Sequence, residues 1–199
     1  MTASDPTEPS HAPDTGRRSR IWLGVGLVTA IAVVLVVVVA AGGSVSAPPV
    51  QLDAAGQRPD DTAPTFAMAS LESDDVIIDL ADRSGTPIVL NFWASWCIPC
   101  RREMRAFETV HREYSGRVAF IGINHQDSRD DALDLVAETG VTYPSVHDPQ
   151  GVIAFDYDVL GLPTTVFIDA DGRIAGHHTG ELTEADLRAA VEEILAGEP

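Results

Sequence analysis

The stretch PIVLNFWASWCIPC, residues 87–100, decides the fold. Its first half, Pro87–Trp93, is a β-branched and aromatic run typical of a buried strand. The motif WCIPC at 96–100 follows directly, and a helix is predicted from about Pro99 to Tyr114. A buried strand that leads straight into a helix predicts an α/β layered domain, with two cysteines at the junction.

These two cysteines are the leading candidates for chemistry. Cys97 and Cys100 are the only cysteines of the 199 residues, and a spacing of three at a helix start lets them close a small disulfide ring. Unpaired N–H groups and the macrodipole stabilise a thiolate at a helix N-terminus, and Arg101, Arg102 and Arg105 add positive charge. Cys97 is therefore the candidate nucleophile, and Cys100 is the thiol that would resolve a mixed disulfide.

A zinc site and a structural disulfide are the alternatives for this cysteine pair, and both remain open. A CxxC is half of a zinc site, yet no other cysteine completes it and the six histidines show no ligand spacing. A structural disulfide between residues three apart would close a very small loop and gain little stability. Because strand, WCxPC motif and helix occur in succession, redox chemistry is the favoured interpretation, and neither a metal nor a cofactor is expected.

Strands and helices alternate outward from this junction. Short strands are predicted before it, at 66–71 and 76–78, and a second buried strand after it, at 118–124. The remaining elements are a helix from Ser128 to about Thr139, a short helix at 151–157, a hairpin of 164–169 with 173–178, and a last helix capped by Thr183.

Three segments of different composition precede the globular pattern. Residues 1–20 are rich in Pro, Ser, Thr and charge, and are predicted to be a disordered cytoplasmic tail. Residues 21–41 carry no charge and, as a helix, would span roughly 30 Å, the thickness of the hydrocarbon core of a bilayer. Residues 42–65 are predicted to be a flexible linker, and residues 66–199 the globular domain.

The charge-free segment 21–41 is predicted to be an uncleaved transmembrane anchor. The rival is a cleaved signal peptide, with Val45-Ser46-Ala47 as the cleavage site, although signal h-regions usually have only about 7–15 residues. Arg17, Arg18 and Arg20 precede the segment, so the positive-inside rule keeps the N-terminus in the cytoplasm. We therefore expect the domain on the outer side of the cell membrane, tethered to it.

The charge balance restricts the class of partner. Thirteen arginines, no lysine and 30 acidic residues give a net charge of −17. Residues 1–47 sum to zero, so the whole net charge belongs to the rest of the chain. Nucleic acid is not expected as a partner, because phosphate binding needs clustered positive charge. Two cysteines are also too few for a small fold held by several disulfides.

Two motifs together carry a family resemblance. LNFWASWCIPCRREM at 90–104 and YDVLGLPTTVFIDADGRI at 157–174 resemble the membrane-anchored thioredoxin-like proteins of the TlpA, ResA and DsbE/CcmG type. The resemblance covers roughly residues 66–197. It implies a thioredoxin-like α/β fold, a central mixed sheet flanked by helices, with a helix and strand inserted over Ser128–Asp148. It also implies that the chain is a thiol–disulfide oxidoreductase.

The same resemblance assigns substrate-binding residues. It implies that Pro163 is a cis-proline beside the active-site disulfide, and that Leu162 and Pro163 line the groove where a substrate peptide pairs with backbone. Trp96, directly before the first cysteine, is expected to shield the disulfide and to contact the substrate.

One departure from thioredoxins proper concerns the buried acid. Where those proteins carry an aspartate in the strand before the motif, this chain has Asn91, and an amide cannot relay a proton. Glu103, three residues after the second cysteine, is expected to assist proton transfer at Cys100 instead. The alternative is a surface glutamate on the helix that pairs with an arginine.

The resemblance implies an exported, membrane-tethered reductant of protein disulfides that acts in cytochrome c maturation. Its partners would be disulfides and thiols of exported proteins, apocytochrome c among them, and a membrane thiol-transfer protein as electron donor. An oxidant or isomerase that forms disulfides is the alternative, and the arginines beside Cys97 favour it by stabilising the thiolate. A thioredoxin-like peroxidase would require Thr or Ser at Ala94, and a non-enzymatic binding module would not require an intact WCxPC.

Overall fold

The computed structural model describes residues 61–197. The predicted tail (1–20), the predicted anchor (21–41) and most of the predicted linker (42–65) lie outside the described residues. Within residues 61–197, no helix is both long and apolar enough to cross a bilayer.

A five-stranded mixed sheet forms the centre of the domain, with the strand order β5-β4-β3-β6-β7. The central strand β3, Ile88–Trp93, is buried at all six positions, as its apolar sequence predicts. β4 runs parallel to β3 and β5 parallel to β4, whereas β6 and β7 are antiparallel. The other bounds are β4 Ala119–His125, β5 Ser145–Asp148, β6 Thr164–Ile168 and β7 Ile174–Thr179. The predicted mixed sheet is confirmed.

Two short strands, β1 (Ala67–Ala69) and β2 (Ile77–Asp79), form a separate antiparallel pair ahead of β3. The chain already joins the domain before β1. Thr62 bridges Arg173 in the hairpin region, and Ala63 is buried, with its N–H donating to the Gly172 carbonyl. Residues 61–65, assigned to the linker from their composition, thus pack against the domain.

In the described part of the chain, four α-helices accompany the sheet, and their ends agree with the sequence signals. Ser128 and Thr183 accept hydrogen bonds from backbone N–H groups at the starts of two helices, and Gly140 ends the first of these with a φ of 72°. The helices are α1 Ile98–Glu113, α2 Arg129–Thr139, α3 Val152–Asp156 and α4 Glu184–Ala196. The predicted helices are therefore present, each within one or two residues of its expected end.

Alternate side chains of β3 enter two different cores, one on each face of the sheet. Val89 and Trp93 pack with residues of α1, α2 and α4, while Leu90 and Phe92 pack with residues of α3 on the opposite face. On α1 the buried residues recur at helical spacing, at Cys100, Glu103, Met104, Phe107 and Val110. The redox motif therefore stands on a helix whose inner face is fixed by the core.

Candidate active site

The two cysteines form a disulfide at the N-terminus of α1. Their Cα atoms are 5.3 Å apart, and the Cys97 sulfur accepts a hydrogen bond from the Cys100 N–H at 3.3 Å. Cys97 is the N-cap residue of the helix. It keeps 5% of its surface, whereas Cys100 is fully buried. Of the two sulfur atoms, that of Cys97 is therefore the more accessible to an incoming sulfur atom.

Trp96 projects beside the disulfide. It is 59% exposed, although its indole N–H is bound to the Gln126 carbonyl at 3.2 Å. A large ring fixed at one end and exposed over most of its surface can form one wall of a contact surface for a substrate.

The Leu162–Pro163 peptide bond is cis. Pro163 is buried, and Leu162 is half-buried against the core cluster that contains both cysteines. Thr164, the next residue, pairs with Phe92 near the end of β3 from which the redox motif follows. The structure therefore brings Leu162 and Pro163 to the end of the sheet where the disulfide lies.

Glu103 lies inside the protein and not on its surface. Its residual exposure is 1%, and its two carboxyl oxygens accept hydrogen bonds from the Asn91 side chain at 2.9 Å and the Leu182 N–H at 3.0 Å. The alternative of a surface glutamate paired with an arginine is wrong. Burial raises the pKa of Glu103 to about 8, aided by the charge of Glu181 and opposed by the two hydrogen bonds.

A third buried side chain orients Asn91. The Tyr143 hydroxyl donates to the Asn91 carbonyl oxygen at 3.5 Å, which leaves the amide N–H to point at Glu103. Burial raises the pKa of Tyr143 well above its usual value, so this hydroxyl keeps its proton as a donor. The strand position that holds an aspartate in thioredoxins proper is thus Asn91 in this chain, and its amide binds the carboxyl of Glu103 on α1.

Two of the three arginines after the motif, Arg101 and Arg102, are paired with carboxylates. Arg101 meets Glu138 of α2 at 2.6 Å, and Arg102 donates two hydrogen bonds to one oxygen of Glu181, at 2.6 and 2.8 Å. The positive charge expected near Cys97 is consequently weaker than the count of arginines suggests.

Asp127 is a site residue that the sequence motifs did not reveal. Its carboxylate accepts hydrogen bonds from Ser95, two residues before Cys97, and from Asn124. The available signal was its place just after the C-terminal end of a buried parallel strand, where functional side chains collect. Among the described residues, no cluster of three or more His, Cys, Asp and Glu could hold a metal ion.

Comparison with known sequences identifies relatives of the chain. Residues 59–177 match the AhpC/TSA family. The chain is 33% identical to the thioredoxin-like protein YneN of Bacillus subtilis over 133 residues, which are 65% of this chain and 76% of that protein. It is 36% identical to the thiol:disulfide interchange protein DsbE of Xylella fastidiosa over 135 residues, 67% of this chain and 68% of that one. The thiol-disulfide oxidoreductase ResA of Geobacillus thermodenitrificans is 33% identical over 134 residues, covering 67% and 76%.

Solved structures agree with these relatives. A secreted thiol-disulfide isomerase from Corynebacterium glutamicum has a TM-score of 0.62 and 30% identity, covering 67% of this chain and 85% of that one. A DsbF homologue from Corynebacterium diphtheriae has a TM-score of 0.63 and 30% identity, covering 75% and 96%. With a WCxPC disulfide on the first helix of a thioredoxin-like fold, the chain belongs to the AhpC/TSA family and is a thiol–disulfide oxidoreductase of the DsbE/ResA type.

Proposed function

We propose that this chain is an exported, membrane-tethered reductant of protein disulfides. The charge-free segment 21–41 would anchor it, and the preceding Arg17, Arg18 and Arg20 would keep the N-terminus in the cytoplasm. The relatives DsbE and ResA are named for thiol–disulfide exchange, and the C. glutamicum structure is described as secreted, which supports an extracytoplasmic domain here.

The reaction begins from the reduced dithiol. The Cys97 thiolate attacks one sulfur of a substrate disulfide, so that a Cys97–substrate mixed disulfide forms and the other substrate sulfur leaves as a thiolate. The Cys100 sulfur then attacks the Cys97 sulfur and releases the second substrate thiol. The substrate gains two electrons and two protons, and the protein is left with the Cys97–Cys100 disulfide.

Glu103 would serve the second of these attacks. Residues three apart on a helix share a face, so the carboxyl lies on the same side of α1 as Cys100. With a pKa of about 8, the group is mostly protonated near neutral pH, yet a fraction is ionised and can take the proton from the Cys100 thiol as its sulfur attacks. The same group can return a proton to the departing substrate thiolate.

The direction of the reaction is proposed from the charge around Cys97. A stabilised thiolate makes a CxxC pair oxidising, because it favours the reduced form. Here Arg101 and Arg102 are each bound by a glutamate. The buried ionisable residue three positions after Cys100 is Glu103, which brings no positive charge. This pairing of Arg101 and Arg102 with glutamates is the observation that supports reduction over oxidation.

Substrates would bind along the end of the sheet where the disulfide lies. Trp96 would contact the polypeptide with its exposed ring, and Leu162 and Pro163 would line the backbone groove. The proposed substrates are disulfides of exported proteins, apocytochrome c among them, and the proposed donor of electrons is a membrane thiol-transfer protein. The similarity to HelX of Rhodobacter capsulatus and to DsbE, both named thiol:disulfide interchange proteins, supports exchange with protein partners.

An isomerase or oxidant that acts on exported proteins is the second candidate. One specific observation favours it, because the C. glutamicum structure that shares the fold and 30% of residues is described as a thiol-disulfide isomerase. The same dithiol chemistry serves both functions, and the reduction potential distinguishes them.

The decisive experiment measures the reduction potential of the Cys97–Cys100 couple. The full chain in detergent would be equilibrated with glutathione or dithiothreitol buffers, and its redox state followed by thiol alkylation. We expect a potential near that of thioredoxin, about −270 mV, whereas a value near −120 mV, as for strong oxidants, would overturn the reductive assignment. Trapping with Cys100→Ala would then identify the substrates, and a trap without apocytochrome would remove the haem-related part.

A further inference from the structure

Four donors converge on the carboxylate of Asp127, which no motif of the sequence singles out. One oxygen accepts from the Ser95 N–H at 2.5 Å and the Asn124 side-chain amide at 2.9 Å. The other accepts from the Ser95 hydroxyl at 2.7 Å and the Ser128 N–H at 3.0 Å. Two of the four donors belong to Ser95, one of the three residues between the end of β3 and the cysteine pair. We propose that Asp127 is the positioning residue of the redox site, which fixes the turn that carries Trp96 and Cys97.

The turn itself explains the need for an outside acceptor. The Cys97 N–H closes the turn by donating to the Ala94 carbonyl at 3.1 Å, and the Cys97 carbonyl accepts from the Arg101 N–H at 3.2 Å. This pattern leaves the Ser95 N–H to a partner outside the turn, and a half-buried N–H without a partner is costly. Asp127 supplies it, with a charge that shortens and strengthens the bond.

Two further contacts fix the same turn. The Gln126 carbonyl accepts the indole N–H of Trp96, so neighbouring residues of the β4–α2 loop bind neighbouring residues of the turn. From the other side, Arg101 reaches the Ser95 carbonyl at 3.4 Å while it pairs with Glu138 on α2. The loop before α2 thus binds the turn at the Ser95 N–H and at the side chains of Ser95 and Trp96. Arg101 connects the Ser95 carbonyl to Glu138 of α2.

The loop that carries Asp127 is itself bound to β5. The Gln126 N–H donates to the Asp148 carbonyl at 3.0 Å, and the His147 ring nitrogen lies 3.1 Å from the Asp127 carbonyl oxygen. Both partners belong to β5. A physical role follows for this strand, because it supports the loop that orients the attacking cysteine and its neighbouring tryptophan.

Orientation matters for rate because disulfide exchange needs the attacking sulfur in line with the bond that breaks. A misplacement of about 1 Å in such a group can slow a reaction by roughly a hundredfold. The inference rests on the proposed attack by Cys97, but not on the direction of the net reaction. Positioning by Asp127 would serve a reductant and an oxidant equally.

The test compares Asp127→Asn with Asp130→Asn in the full chain in detergent. An amide keeps one oxygen for four donors, so we expect Asp127→Asn to slow the reaction of the reduced protein with the small disulfide reagent DTNB by about tenfold. Asp130 is exposed in the first turn of α2, and the same loss of charge there should leave the rate within about twofold. A wild-type rate for Asp127→Asn would overturn the inference.

Variants of Ser95 separate positioning from general instability. Ser95→Ala removes one donor and leaves the Asn124 and Ser128 bonds to Asp127, so we expect a smaller loss of rate, restored by Ser95→Thr. Combined with Asp127→Asn, it should slow the reaction no further than Asp127→Asn alone, because both changes disrupt the same contact between Ser95 and position 127. Additive losses would contradict the proposed route through Ser95, and the Ser95 pair answers the question even if Asp127→Asn does not fold.

A reference variant distinguishes failure of this inference from failure of the proposed function. If wild type reacts with DTNB and Cys97→Ser does not, attack by Cys97 stands, and an unaffected Asp127→Asn then contradicts the positioning role alone. If Cys97→Ser reacts as fast as wild type, the proposed attack by Cys97 fails first.

Discussion

The side-chain amide of Asn91 donates a hydrogen bond to the carboxyl of Glu103 across 2.9 Å of protein interior, and so connects the central strand to the active-site helix. In thioredoxins proper the acid stands on the strand. Here the strand supplies the amide and the helix supplies the acid, one turn after Cys100. An uncharged donor on the strand stabilises the carboxylate only weakly, so burial dominates and the pKa of Glu103 rises to about 8.

The raised pKa makes folding stability depend on pH. Between its usual value of 4.5 and about 8, Glu103 holds a proton in the folded state but not in the unfolded state. Stability contributed by this group is therefore fully present below pH 4.5 and is lost as the pH rises toward 8, at a slope of up to about 1.4 kcal/mol per pH unit. Glu103→Gln should lack this slope, so its stability relative to wild type should increase from pH 5 to pH 9. Urea denaturation of the oxidised proteins measures the difference.

The Gln variant is a suitable probe because the site can accommodate it. Its carbonyl can accept from the Leu182 N–H, and its amide can donate to Asn91 once that side chain turns, with the Tyr143 hydroxyl as acceptor. At pH 5 we expect its stability within about 1 kcal/mol of wild type. Parallel pH curves for the two proteins would show that Glu103 titrates normally.

Asn91→Asp would place two carboxyls in contact inside the protein. Both cannot ionise there, so the pair should hold one proton to high pH and the variant should lose stability steeply above pH 6. The loss relative to wild type at pH 8 should be about 2–4 kcal/mol, measured by urea denaturation.

The double variant Asn91→Asp with Glu103→Gln serves as the control for repulsion. In it the new carboxylate at position 91 can accept from both the new amide at position 103 and the Tyr143 hydroxyl. The double variant should therefore be more stable at pH 8 than Asn91→Asp alone. If the double variant were instead the less stable of the two, the loss of stability would come from the space at position 91 and not from its charge.

Local patterns predicted the elements well, because each end depended on nearby residues. Ser128, Gly140 and Thr183 mark helix ends through contacts within a few residues, and the apolar run of β3 reports burial directly. The helical spacing of the buried residues on α1 also includes position 103. The sequence alone leaves a surface position open as the alternative for Glu103, and only the tertiary fold supplies the donors that allow its burial.

Contacts between distant parts of the chain account for what the sequence did not show. Glu103 meets a backbone N–H 79 residues away, and Arg101 meets a glutamate 37 residues away. Asp127 binds Ser95 across 32 residues. None of these separations along the chain has a periodic signature. The sequence alone therefore overstates the positive charge near the cysteines and does not reveal that Asp127 is the acceptor for the turn.

Breaking the ion pairs beside the motif should make the dithiol more oxidising. Glu138→Gln and Glu181→Gln together release Arg101 and Arg102, whose charges then favour the Cys97 thiolate. We expect the pKa of the Cys97 thiol to fall and the equilibrium with glutathione to shift toward the reduced protein by about twofold to fivefold. Alkylation rates across pH measure the first quantity and redox titration the second.

Glu113→Gln combined with Glu184→Gln is the matched control, because it also removes two negative charges. Both glutamates pair with Arg188, and Glu113 lies at the far end of α1, roughly 24 Å from the motif at the rise of an α-helix. The redox equilibrium of this control should remain that of wild type at about 0.15 M salt. If the control shifts the equilibrium as much as the double change at Glu138 and Glu181 does, net charge and not local pairing controls the couple.

Trp96→Ala should distinguish protein substrates from small ones. The exposed ring offers its surface to a polypeptide, whereas a small disulfide can reach Cys97 without it. We expect KM for a protein disulfide such as insulin to rise about tenfold, in the range found when an aromatic anchor is removed from an interface. The rate with DTNB should change by less than about threefold. Ile77→Ala, which removes a comparably exposed apolar side chain from β2, should change neither quantity.

Trp96→Phe then separates the ring from its hydrogen bond to Gln126. Phenylalanine keeps an apolar face but has no N–H, so a normal KM would assign the role to the ring surface. A KM as high as that of Trp96→Ala would assign it to the fixed orientation of the indole. Equal losses with insulin and DTNB in both variants would mean that Trp96 acts on Cys97 and not on the substrate polypeptide.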